Sequence, residues 1–155
     1  MSNDKPHSSG SEHRRLRHKS RELAMHTLYA SEVGSTDQWQ VIMERIADSE
    51  ELSSEVRKYA RELVHKVIQE NDAIYDLLTS KAQNWELKRM AIIDRNVLRI
   101  AIAELCYFPD VPYKVVIDEA VEIAKTFGTD DSGKFVNGIL DSAHRYLSEN
   151  PPTRK

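Results

Sequence analysis

A single cysteine, Cys106, in 155 residues leaves no partner for an internal disulfide and too few thiolates for a cysteine-based zinc site. Long apolar runs are absent too. None approaches the ~18 residues of a membrane span, and the N-terminus carries no apolar segment behind its charges. A cytoplasmic chain with no membrane partner is the expectation. Glycine and proline are scarce, five of each, and sit mostly near the ends or between periodic segments, which favours long helices over a multi-turn β fold. Net charge is small as well: 22 basic and 25 acidic residues give −3. What remains is ordinary for a globular domain, 40% hydrophobic and 30% charged. A chain of this length buries roughly 68–70% of its unfolded surface and needs no metal or disulfide to hold it.

The small net charge hides an uneven distribution. Residues 13–21 read HRRLRHKSR and hold Arg14, Arg15, Arg17, Lys19 and Arg21 with no acid, so setting those five charges aside leaves the rest of the chain at −8. A basic arm on an acidic body is either a solvated helix start or an electrostatic footprint for phosphates. Residues 1–12, Ser-rich with Pro6 and Gly10, read as a disordered tail, and residues 149–155 as another, leaving 13–148 as one domain.

Within that domain the apolar residues follow the helical period. Leu23, Ala24, Thr27 and Leu28 mark a helix over roughly 14–33, stopped by Gly34. Trp39, Ile42, Met43 and Ile46 mark a short second helix, with Ser35 and Gln38 at capping-box spacing. One phase running from Val56 through Tyr59, Leu63, Val67, Ile68, Ile74, Tyr75 and Leu78 predicts a single long helix over about 54–79. A looser segment around Trp85 and Leu87 leads to Asp94, read as an N-cap, and to a stripe of Val97, Leu98, Ala101, Ile102 and Leu105, which Pro109 and Pro112 end. Val116 to Phe127 forms the next helix, closed by Gly128 at C′. The last runs from about Ser132 to Leu147. The expectation is an all-α protein of about seven helices.

Most candidate chemistry fails on inspection. Gly128 to Phe135 comes within one residue of the phosphate-binding pattern G-x-x-x-x-G-K-[ST], but Phe135 replaces the metal-binding hydroxyl and a helix precedes it. A helix end, loop and new N-cap is the better reading. Glu62/His65 and Asp141/His144 have carboxylate-x-x-His spacing, yet lie off their helices' apolar stripes. No catalytic site assembles, and neither a cofactor nor a metal is expected. Two features persist: the basic arm, and Phe135 beside Lys134, either a platform for an unstacked base or a peripheral core residue.

Several blocks, in order, resemble the NusB family of bacterial transcription antitermination factors. They are the basic run into Arg21-Glu22-Leu23-Ala24, Val97-Leu98-Arg99-Ile100-Ala101 with Glu104-Leu105, and Val111-Pro112-Tyr113-Lys114-Val115. Glu119-Ala120-Val121 and Phe135-Val136-Asn137-Gly138-Ile139-Leu140 follow, so that the resemblance covers residues 14–147. His18 and Lys19 stand where the family tends to keep arginines. The resemblance implies two small helical subdomains in one compact domain, and a non-enzymatic protein that binds the boxA element of nascent ribosomal RNA as a single strand. It implies a partnership with the ribosomal protein NusE in an RNA polymerase antitermination complex with other Nus factors, as monomer or homodimer. The RNA surface so implied joins the arm residues Arg14, Arg15, Arg17, Lys19 and Arg21 to Asp131, Ser132, Lys134 and Phe135. The acidic side around Asp94 is the expected docking edge for a basic NusE-like protein. A helical domain of the kind fused to ribosomal RNA methyltransferases is one alternative, although 155 residues leave little room for a catalytic domain. A pure protein-interaction bundle is another, which the basic arm argues against.

Overall fold

The computed structural model describes the backbone of residues 6–82 and 90–152, and side chains from residue 10 onward. Seven α-helices and no strand occur among the described residues: α1 Pro6–Val33, α2 Trp39–Ser49, α3 Ser54–Gln69, α4 Asn71–Ala82, α5 Ile92–Tyr107, α6 Tyr113–Phe127 and α7 Ser132–Glu149. The all-α expectation therefore holds. None of these helices is long and apolar enough to cross a membrane. The looser segment expected around Trp85 and Leu87 lies outside the described residues.

The chain divides into two compact units within α3, Met1–Glu62 and Leu63–Lys155. In the first, α1 packs on α2, and Leu23, Ala24, Met25 and Leu28 are buried, as are Ile42, Met43 and Ala47. The start of α3 is fastened by Arg57. Its guanidinium donates to Glu44 at 3.0 Å, to Asp48 at 2.6 Å and to the carbonyls of Leu52 at 3.0 Å and Ala47 at 3.3 Å. These carbonyls include one left over at the end of α2, so the arginine closes a helix end as well as an ion-pair network. The turn between is a Schellman motif: Leu52 N–H donates to Ala47 at 3.0 Å and Glu51 N–H to Asp48 at 3.2 Å. Glu51, with φ of 54°, occupies the left-handed position that glycine usually fills. The expected capping box is not formed, because α2 starts at Trp39 without a side-chain cap and Ser35 Oγ accepts from Asp37 N–H instead.

In the second unit α5 is central, contacting α4, α6 and α7. It is buried on most of its circumference, from Asp94 and Asn96 through Ile102 and Ala103 to Cys106, so the stripe read from its sequence marks only part of its buried surface. Arg99 reaches from it to Asn96 Oδ1 at 2.8 Å and Asn71 Oδ1 at 3.0 Å.

Three expectations need correction here. Residues 6–12, read as disordered, belong to α1, whose first residue Pro6 suits a helix start through its fixed φ. The helix expected over 54–79 is two helices, interrupted at Glu70. Ile74 N–H still donates to Glu70 at 3.0 Å, so the break costs little of the ladder and leaves Val67, Ile74 and Leu78 in phase, invisible to periodicity. Ile68 and Tyr75, counted in that stripe, are exposed.

Candidate nucleic-acid interface

The second unit's candidate site is built where α6 ends and α7 begins, opposite the first turn of α5. Gly128 ends α6 with an ordinary negative φ of −98° rather than the left-handed conformation expected of a C′ glycine. Close approach explains it instead, since a Cβ there would lie 2.7 Å from the Ala124 carbonyl oxygen and 2.8 Å from Ser132 Cβ. The chain then turns tightly. Ser132 N–H donates to Thr129 at 3.1 Å, and Thr129 N–H donates back to Ser132 Oγ at 2.9 Å. Phe135 N–H, donating to Asp131 at 3.0 Å, starts the α7 ladder, and Asp131 makes no side-chain cap bond. The helix end, loop and helix start read from this stretch are what the chain forms.

Ser132 is a structural hinge pin. Its hydroxyl accepts from Thr129 and donates to Asp94 Oδ2 at 3.0 Å, tying α7 to α5. It is 1% exposed and Asp94 7%, which corrects both as surface residues. Neither offers an open contact to RNA backbone or to a docking protein's side chain. Asp94 is also not an N-cap, because α5 starts at Ile92 behind Ala91. Burial pushes the Asp94 carboxyl above the ordinary carboxylate range, and the Ser132 hydrogen bond pulls only partly against it.

Asp131 and Lys134 are exposed and Phe135 is half-buried. With Met90, Ala91, Asp94, Thr129 and Ser132 they line an open cavity of about 450 Å³. Aromatic face, cation and acid thus converge on one concave surface at a helix N-terminus, where the first-turn N–H groups favour anions.

The first unit holds the arm, on α1. His13, Arg14 and Arg15 are exposed, and Arg17, His18 and Lys19 half-buried. Arg15 pairs with Glu12 at 2.6 Å, which raises the arginine's pKa and lowers the glutamate's. His18 meets Glu22 at 3.1 Å. The Arg17 guanidinium sits 3.6 Å above the Tyr59 ring, and Arg21 lies 5.9 Å from it. Arg21 is 3% exposed, which corrects it as a phosphate contact: a guanidinium enclosed against Tyr59 has no open face for solvent-borne anions. A shallow groove of about 230 Å³ runs here between Arg17, Lys58, Tyr59 and the acids Glu55 and Glu62. Sequence reasoning placed Tyr59 in the core stripe, where the structure also buries it, and missed Lys58 altogether. No local signal joins α1 to α3, since the pairing is made by tertiary structure.

Of the other candidates, Glu62 is one of the acids lining that groove. Glu62 and His65 are exposed. His144 is stacked on Tyr113 with ring centroids 3.6 Å apart and planes 9° from parallel. Among the described residues no three metal-ligating side chains converge. Cys106 is a buried free thiol.

Comparison with known proteins connects the chain to a family. The NusB family model matches residues 18–145. The transcription antitermination protein NusB of Geotalea daltonii is 44% identical over 132 residues, covering 81% of this chain and 91% of that protein. The NusB of Geotalea uraniireducens is 44% identical over 140 residues, covering 86% of this chain and 97% of its own. Among solved structures, T. maritima NusB superposes with a TM-score of 0.71 at 36% identity, over 85% of this chain and 89% of that one. The NusB of a crystal structure of antitermination factors NusB and NusE in complex with dsRNA shares the fold, with a TM-score of 0.77 at 22% identity, over 85% of this chain and 98% of that one. By family model and by sequence identity over most of its length, the chain belongs to the NusB family.

Proposed function

We propose that the chain is an RNA-binding transcription antitermination factor that binds boxA of nascent ribosomal RNA together with NusE. In that role it acts in the cytoplasm, within the antitermination complex, to help RNA polymerase read through terminators in ribosomal RNA operons. The observation that carries this reading is the concave surface at the start of α7, where Lys134 and half-buried Phe135 stand beside a cavity of about 450 Å³. Such a surface suits a single strand, because an unstacked base can lie on the aromatic ring while the lysine meets its phosphate. Asp131, without a cap bond of its own, is placed to accept from a ribose hydroxyl or a base amino group.

In the first unit Arg14, Arg15, Arg17 and Lys19 supply phosphate contacts that do not depend on sequence. Arg17, held over the Tyr59 ring, is the most preorganised of them. NusE, as a ribosomal protein, is expected to be basic, and the chain carries −8 outside the arm, so electrostatic complementarity supports the partnership. Asp94 does not supply its docking edge, being enclosed.

Titration of single-stranded boxA RNA, with and without NusE and across salt, tests the reading. Four neutralised phosphates give a slope of about −3 in log K against log salt, so raising salt from about 50 to 200 mM weakens binding on the order of 50-fold. NusE and RNA must raise each other's affinity by one common factor if they bind cooperatively. A slope near zero removes the arm from the interface, and identical affinities with and without NusE remove the coupling.

A further inference from the structure

The groove of the first unit carries charges of both signs that leave one another unpaired. Its walls are fixed: the Ser20 hydroxyl of α1 meets the Val56 carbonyl oxygen of α3 at 2.8 Å, and the Arg17 guanidinium lies 3.6 Å over the Tyr59 ring. Glu55, Lys58 and Glu62 of α3 also line it, all three exposed. Glu55 stands three residues before Lys58 and Glu62 four after, the spacings at which opposite charges on a helix can pair. Among the described residues, neither acid forms an ion pair or hydrogen bond with Lys58 or Arg17. A surface that only attracts phosphates gains nothing from two carboxylates, since each repels the backbone that the cations attract. The arrangement suits a ligand in which an anion alternates with hydroxyl donors.

We infer that this groove holds one ribose-phosphate-ribose step of the bound RNA, with the phosphate on Arg17 and Lys58 and the flanking 2′-hydroxyls donating to Glu55 and Glu62. The inference rests on the RNA-binding reading above and adds to it a means of telling RNA from DNA. The groove's volume, about 230 Å³, falls below the roughly 300–1,000 Å³ usual for ligand clefts, which suits backbone rather than a base. Along α3 the two acids lie about 4.5 Å and 6 Å to either side of Lys58, at 1.5 Å of rise per residue. A phosphate on the lysine therefore brings one ribose toward each carboxylate. An ionised carboxylate only accepts hydrogen bonds, so it gains from a 2′-hydroxyl. DNA has no such donor, and its phosphates meet the same two acids with repulsion alone. Arg17 belongs to the arm as well as to the groove, so the strand runs from one to the other without a gap.

The test uses the whole chain with single-stranded boxA RNA, the same RNA carrying one 2′-deoxynucleotide at each position in turn, and deoxyuridine-containing DNA of the same sequence. Deoxy substitution at one or two adjacent positions is expected to weaken binding about 2- to 10-fold, the worth of one hydrogen bond apiece. In the double variant Glu55→Ala/Glu62→Ala, whose melting is followed in parallel, that sensitivity is expected to vanish and the preference for RNA over DNA to shrink. Lys58→Ala is expected to weaken RNA and DNA alike and to make the salt slope shallower by up to about 0.7. If the acids merely repel nucleic acid, the double variant tightens RNA and DNA by one common factor, and the inference falls while RNA binding stands. Deoxy sensitivity that persists in a cooperatively melting double variant, or is absent at every position of the RNA bound by the unaltered chain, overturns it equally. An unaltered salt slope in Lys58→Ala removes the phosphate from the groove. Failure of the unaltered chain to bind boxA RNA at low salt overturns the RNA-binding reading and this inference with it.

Discussion

Ser132→Ala removes one oxygen atom, which the structure ties both to Asp94 and to Thr129. It donates to Asp94 Oδ2 at 3.0 Å and accepts from Thr129 N–H at 2.9 Å, so its loss unties the start of α7 from α5 and opens the turn after α6. The Asp94 carboxylate, whose other oxygen already lacks a partner, is then left without any hydrogen bond in an enclosed site. A hydrogen bond to a charged group contributes about 1.5–3 kcal/mol, and the loss at neutral pH should fall in that range. With m of about 1–3 kcal/mol/M in urea, the unfolding midpoint drops by roughly 1 M, with m itself unchanged. The size of the loss also depends on pH, with a definite sign. Because the folded Asp94 pKa lies above its unfolded value, this group favours the fold when protonated. That contribution is complete below the ordinary carboxylate pKa and is lost as pH rises through the folded value. Without the Ser132 donor the folded pKa rises further, so the deficit of the variant is smallest in acid and largest at neutral pH. Urea unfolding followed by far-ultraviolet circular dichroism at several pH values measures both. An unchanged midpoint at neutral pH, or a deficit that grows on acidification, refutes the account of Ser132 and Asp94 as a buried tie.

Other expectations concern single positions. Phe135→Ala should weaken binding of single-stranded RNA by about 1–3 kcal/mol with helicity intact; a variant that melts without cooperativity, losing RNA binding only in proportion to its unfolded fraction, would place the ring in the core instead. Glu51→Gly should stabilise the chain by about 0.5–1 kcal/mol, because the left-handed φ of 54° strains a glutamate more than it does a glycine, and thermal melting reads the gain. Leu98→Ala, at a position with no exposure in α5, should cost about 2–5 kcal/mol in urea unfolding. Asp94→Asn keeps the shape and an acceptor for Ser132 while removing a desolvated charge, so it should raise the melting temperature at neutral pH and flatten stability between acid and neutral pH.

The sequence disclosed the helical class through its period, and the limits of that signal are physical. A period locates a helix and its inward side, which is why α2, α6 and α7 fall close to where their stripes lie. It does not register a one-residue interruption such as Glu70, across which Val67 and Ile74 remain seven apart on one face. Nor does it separate a helix buried on most of its circumference from one with a single apolar side, because α5 buries Asp94, Asn96 and Glu104 as well as Leu98, Ile100 and Ile102.

The same limit governs the candidate site. Exposure of Lys134 and Asp131 followed from the helix phase and the polar loop. Burial of Arg21, Ser132 and Asp94 did not, because each is enclosed by partners distant in sequence. Arg21 lies near Tyr59, and Ser132 and Asp94 bond to each other across α7 and α5. Polar residue types at loop and helix starts are assigned to the surface by default. A hydroxyl that satisfies a turn and a carboxylate at once reverses that default, and only the tertiary fold brings the three groups together.

Photocrosslinking tests the central claim most directly. The chain is irradiated in complex with a single-stranded boxA RNA carrying 5-iodouridine at successive positions, and the adducts are mapped by peptide mass spectrometry. The account predicts adducts on Phe135 or its immediate neighbours in the α7 start, together with adducts in the α1 arm, both suppressed by excess unlabelled boxA RNA and by high salt. Specific adducts that leave residues 129–135 unmodified at every labelled position would contradict it.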